Sequence, residues 1–174
     1  MTMILAAIAL AVAQPASPPA ATSVSKPLGT PAAEEAAVRR AVADVYAVIS
    51  GPAGSKRDWA RMRTLFTPDA RLYAVGRNGL SGGSLEDYIA KGGPMLEKVG
   101  FTERELTGRV QMYGNVAQVW SSYHGTSTDG TVNVRGINSF QLARDPMGTW
   151  RVHSILWQQE RPDLKIPTDM KGRR

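Results

Sequence analysis

Cysteine is absent from the 174 residues, histidine occurs twice, and only one uncharged apolar run exceeds ten residues. Without cysteine there are no disulfides, no thiolate nucleophile and no cysteine-ligated metal. The two histidines, His124 and His153, lie far apart in the chain with no HxH or HxxxH spacing, so no metal is expected. The apolar run, residues 3–13 (MILAAIALAVA), is too short for a membrane span and has no Lys or Arg ahead of it. It has the length of a secretory h-region, and Ala11-Val12-Ala13 supplies a small-x-small cleavage site. Residues 1–13 are therefore expected to be a signal peptide, with a mature chain starting at Gln14 that is periplasmic or secreted and has no stable membrane span.

A basic stripe with interleaved aromatics is missing too. Net charge is +6, but the tail 161–174 holds five basic and two acidic residues, half of the excess, and reads as a frayed end. The remaining arginines, Arg57, Arg61 and Arg63 among them, are scattered and read as solvated helix faces, so nucleic acid is not an expected partner. The segment GRNGLSGGS, residues 76–84, lacks the Lys-Ser/Thr ending of a phosphate-binding loop and reads as a flexible pocket lid.

What is present is an ordinary globular composition, 43% hydrophobic and 21% charged, in a length that suits one domain. Residues 14–30 are nearly all Pro, Ala, Ser and Thr and read as a disordered linker. Thr30 then caps a helix with Pro31 at its first position, carrying Val38, Val42, Val45 and Ile49 with Tyr46 beside them, through Ser50. A second helix over 56–66 places Trp59, Met62 and Phe66 on one face. A strand is expected at 70–75. Ser84 and Asp87 cap a third helix, which Gly92, Gly93 and Pro94 should interrupt before Val99. Strands at 102–113, 115–125, 132–143 and 149–159 follow, separated by Gly-Asn, Thr-Asp-Gly and Asp-Pro-Met-Gly turns. Helices first and a strand meander after predict an α+β domain, residues 31–160.

The Tyr46 helix, Asp58-Trp59 leading to Leu65-Phe66-Thr67-Pro68-Asp69-Ala70, and Gly136-Ile137-Asn138-Ser139-Phe140 with Trp150-Arg151-Val152 resemble the nuclear transport factor 2-like superfamily. Its SnoaL-like and ketosteroid-isomerase-like branches are the most similar. The resemblance implies a cystatin-like fold, a cone-shaped antiparallel sheet curved around three N-terminal helices, with an apolar pocket between them. Tyr46 then matches the isomerases' helix tyrosine, and Asn138 their second oxyanion donor. The proton-abstracting carboxylate of that branch falls at Ala74, beside Tyr73. The Arg and two Asp of the limonene epoxide hydrolase branch have no match in Arg135-Gly136-Ile137-Asn138.

Alternation puts Asn138 and Phe140 on an inward face, and the resemblance puts Trp120, Ser122 and His124 at the pocket mouth. The candidate ligand-binding set is Tyr46, Trp59, Tyr73, Trp120, Ser122, His124, Asn138 and Phe140. Trp59 and Trp150 also fit core positions. His153, Ile155 and Trp157 are expected on the outer face, where Val119, Ile155 and Trp157 would form the apolar patch of a homodimer. Three readings follow: an exported domain binding a small apolar molecule without catalysis or cofactor, an isomerase-, cyclase- or hydrolase-like enzyme using His124 or a water, and a dimeric protein-interaction module.

Overall fold

The computed structural model describes residues 25–172; the expected signal peptide and most of the linker lie outside the described residues. Helix α1 is Pro31–Ile49, and Thr30 caps it by accepting a hydrogen bond from the Ala33 amide. Its Val38, Ala41, Val42, Val45, Val48 and Ile49 are buried, one stripe at helical spacing. Helix α2, Trp59–Leu65, is shorter than its expected span and is capped by Asp58. Helix α3, Leu85–Val99, begins at a reciprocal Ser84/Asp87 capping box. It runs through Gly92-Gly93-Pro94 without the expected break. Gly93 packs so closely under Trp59 that a Cβ there would lie 3.1 Å from the indole, and Leu96 enters the core, so packing overrides the proline.

Six strands form one sheet in the order β2-β1-β6-β5-β4-β3. They are β1 Phe66–Gly76, β2 Gly79–Ser84, β3 Phe101–Tyr113, β4 Val116–Ser127, β5 Asn133–Arg144 and β6 Trp150–Gln159. The last four form the expected antiparallel meander, but β1 pairs with β6 in parallel, so the sheet is mixed rather than wholly antiparallel. The supposed glycine-rich lid is strand β2, joined to β1 by a two-residue turn at Arg77-Asn78. Gly82 serves close approach: a Cβ there would sit 2.0 Å from the Leu72 carbonyl oxygen. The sheet curves around α1, which packs against both β3 and β6. Among the described residues no helix is long and apolar enough to cross a membrane.

Two bulges set which side chains face the core. Leu106 is extra in β3 opposite β4, and His153 is extra in β6 opposite β5. Each reverses the alternation beyond it. Ile155 and Trp157 thus point inward while His153 is exposed, and Val119 is buried at 2% exposure. The patch expected on the outer face is therefore part of the interior.

Three buried charged side chains, Arg57, Glu34 and Arg144, are structural, and of these Arg57 is the one expected on a solvated helix face. Arg57 is buried and gives five hydrogen bonds to the carbonyls of Ile49, Gly51, Pro52, Ser55 and Leu96, satisfying the C-terminal ends of α1 and α3. Glu34 accepts from the Trp150 indole at 2.8 Å and pairs with buried Arg144, which also holds the Lys26 and Pro27 carbonyls and so seats the end of the linker. The segment after β6 is not frayed through Gly172: it folds across the outer sheet face, burying Ile166 and Met170, and ends in a short 3-10 helix at Thr168–Met170.

Candidate functional site

Between the concave sheet face and the helices lies a cavity of about 200 Å³. Its wall is apolar and aromatic: Met62, Leu72, Phe101, Phe140, Ile155 and Trp157 are joined by the rings of Tyr46, Tyr88 and Tyr123. Tyr46 meets Phe140 edge-on with ring centroids 5.9 Å apart, and Tyr88 meets Trp157 likewise at 6.3 Å. Exposed Met95 and Gln159 mark the mouth.

One wall is polar and ordered as a chain. Asn138 donates one amide N–H to Glu103 Oε1 at 3.1 Å and the other to the Tyr46 oxygen at 3.0 Å. Tyr46 and Ser121 Oγ are 2.7 Å apart, and Ser121 donates to Glu105 Oε1 at 2.6 Å. Ser121 has one hydroxyl proton, so with that proton on Glu105 the Tyr46 phenol must donate to Ser121. The protons then run outward from Asn138 through Tyr46 and Ser121 to exposed Glu105, while the second Asn138 N–H points the other way, to Glu103.

Glu103 is the group at the cavity end. Desolvation raises its pKa to about 7, opposed by the Asn138 hydrogen bond. Burial likewise pushes the Tyr46, Tyr88 and Tyr123 phenols well above their ordinary range, with the Glu103 charge adding to each. Among the described residues no Lys, Arg or His lines the cavity, so a carboxylate that ionises near neutrality faces aromatic rings with no described cation beside it.

No protein-family model matches the sequence, and neither does any curated protein. Solved structures do match. An NTF2-like protein with a cystatin-like fold from Novosphingobium aromaticivorans has a TM-score of 0.60 at 15% identity, over 80% of this chain and 87% of that one. The chain has the NTF2-like fold. A Shewanella frigidimarina protein provisionally described as a ketosteroid isomerase shares it, with a TM-score of 0.51 at 15% identity over 74% of this chain and 97% of that one. So does a Novosphingobium aromaticivorans protein provisionally described as a scytalone dehydratase, with a TM-score of 0.58 at 12% identity over 78% and 91% of the two chains.

Within this NTF2-like cone, Tyr46, Asn138 and Phe140 come together at the cavity, as the alternation of β5 predicts. The other five candidates do not line it. Trp59 lies between α2 and α3 with its indole N–H on Glu97 at 2.9 Å. Tyr73 alternates away from cavity-lining Leu72. Trp120, Ser122 and His124 are on the outer face, because Val119, Ser121 and Tyr123 take the inward positions of β4. Ser122 donates to the Met170 carbonyl beneath the C-terminal segment, and His124 Nε2 lies 2.9 Å from Asn133 Oδ1. His124 therefore cannot replace a missing carboxylate in the cavity, and none is missing, since β3 supplies Glu103.

A larger groove of about 390 Å³ runs along the outer face beside Trp120, Ile137, Leu156, Leu164 and Pro167. It has nothing like the convergent polar chain of the inner cavity, which is the better candidate site.

Proposed function

We propose that the chain binds a small, largely apolar ring compound in the inner cavity, with a polar group of the ligand set against Glu103. The supporting observation is a titratable carboxylate, anchored by Asn138, at the polar end of an otherwise aromatic cavity. Size narrows the class. An apolar cavity of about 150 Å³ accepts benzene, so about 200 Å³ suits one or two rings. A larger skeleton has to extend through the mouth at Met95. Calorimetric titration with 2-naphthol checks this: saturable binding that Phe140→Trp abolishes by filling the cavity is expected, and absence of binding to the folded wild type rejects it.

A second reading is catalytic. A carboxyl group that ionises near neutrality is suited to taking and returning a proton at working pH. Deuterium uptake from heavy water into a small cyclic ketone, lost in Glu103→Gln, would be its signature. Export, with cleavage before Gln14, is part of the proposal on the strength of residues 3–13 and is checked by intact mass of the secreted protein. Self-association remains part of it as well, but through the exposed Trp120, Leu156 and Leu164 of the outer face. Trp120→Glu should then give monomers in sedimentation, and a monomeric wild type at high concentration rejects that component.

A further inference from the structure

We propose that the ligand of the inner cavity carries a positive charge, a protonated or quaternary amine on a ring-sized apolar body, with Glu103 as its counter-ion. This rests on the binding reading above and specifies the ligand's chemistry.

The first observation is the missing cation. An ionised carboxylate withdrawn from water is costly unless it is paired, and in most proteins an Arg or Lys pairs with it. Among the described residues the Glu103 carboxylate has one donor, the neutral Asn138 amide at 3.1 Å. Each surrounding element adds no positive charge: α1 brings Tyr46, α3 brings Tyr88, β4 brings Tyr123, β5 brings Asn138, and α2 and β6 bring Met62, Ile155 and Trp157. Glu105, the next acid along β3, takes the Ser121 proton at the far end of the chain and adds negative charge, not positive. Buried Arg57 is committed to five backbone carbonyls and does not line the cavity. A cation supplied by the ligand completes the pair.

The second observation is independent of the carboxylate. Six aromatic residues, Tyr46, Tyr88, Phe101, Tyr123, Phe140 and Trp157, line this one cavity. Ring faces attract ammonium groups, most strongly Trp and where water is excluded, and several rings around one site form the cage that recognises methylated amines. Tyr88 meets Trp157 and Tyr46 meets Phe140 edge-on rather than stacked, so each pair covers one ring face instead of two. An anionic ligand has no partner here. A neutral ligand gains from the rings but leaves the carboxylate unpaired or protonated.

The test compares phenyltrimethylammonium with tert-butylbenzene, which has the same shape and no charge, by NMR titration of the folded protein. With Glu103 ionised, at about pH 8, the cation should bind roughly tenfold tighter or more, and the preference should shrink at about pH 6 as Glu103 takes a proton. Binding near pH 7 should release protons, seen as a buffer-dependent heat in calorimetry. Glu103→Gln should remove the preference and keep the tert-butylbenzene affinity. If that variant does not fold, the wild-type pH dependence and proton release decide alone. Equal or weaker binding of the cation at the higher pH overturns the inference and leaves the pocket reading standing. Binding of neither compound overturns both.

Discussion

Asn138 stands between Glu103 and Tyr46, giving one amide N–H to the carboxylate at 3.1 Å and the other to the phenol oxygen at 3.0 Å. With both donors used, Asn138 can offer a ligand only its carbonyl oxygen, and the Tyr46 proton is directed to Ser121. The pair that the isomerase resemblance casts as oxyanion donors is thus internally satisfied. Of the three, Glu103 is the one left to meet a ligand.

Glu103→Gln should change stability in a pH-dependent way. The folded pKa, about 7, is above the unfolded value of about 4.3, so the folded state holds the extra proton between them. Wild-type stability should therefore fall as pH rises from about 4.3 to about 7 and level off above that. The glutamine variant lacks this slope and should be the more stable protein at about pH 8, by at most about 3 to 4 kcal/mol, with the two similar near pH 4. Calorimetric melting across that range checks it. Parallel curves for the two proteins contradict a desolvated carboxylate.

Among the described residues Asn138 alone donates to the Glu103 carboxylate, so Asn138→Leu should raise its pKa further, by about one to two pH units if the bond has the usual strength of one to a charged group. Carbon-detected titration of the Glu103 carboxyl measures it. An unchanged midpoint means that desolvation alone sets the value.

The sequence makes the fold legible because its signals are local and mutually consistent: the Thr30-Pro31 start, the valine stripe of α1, the Ser84/Asp87 box and the turns of the meander all form. Phase is what alternation cannot carry across a bulge. Leu106 and His153 each insert one residue, so Ile155 and Trp157, beyond the second bulge, read as exterior although they line the cavity. The signal for Glu103 is its place two residues after a buried Phe on one face of the strand. Trp120 misleads differently: the resemblance places it at the pocket mouth, but the neighbouring Ser121 is the inward residue, hydrogen-bonded to Tyr46. Arg57 is indistinguishable in sequence from Arg61, since only the fold brings two helix ends to it.

Phe66→Ala should cost about 3 to 5 kcal/mol, because Phe66 is 2% exposed where α2 passes into β1 and truncation leaves a cavity. Arg61→Ala loses an exposed pair with Asp44 and should cost about 1 kcal/mol or less. Denaturant midpoints separate the two, and equal midpoints would mean the burial of this corner is misassigned.

The C-terminal segment supplies the last expectation. Met170 is 1% exposed, its carbonyl accepts from buried Ser122, and Asp169 next to it pairs with Arg109 of β3. Exposed ion pairs contribute little, so the methionine and the Ser122 bond must fix the segment. Met170→Ala should weaken its docking by about 2 to 5 kcal/mol, enough to detach the segment without unfolding the sheet. Detachment would also remove Ile166 and Pro167 from the wall of the outer groove. Hydrogen exchange reads this residue by residue: the amides of residue 170 and Lys171, bonded to the Pro167 and Thr168 carbonyls, should lose protection while β4 and β5 keep theirs. Uniform loss across the sheet would instead make the segment part of the cooperative core, and unchanged protection would place its anchor elsewhere than Met170.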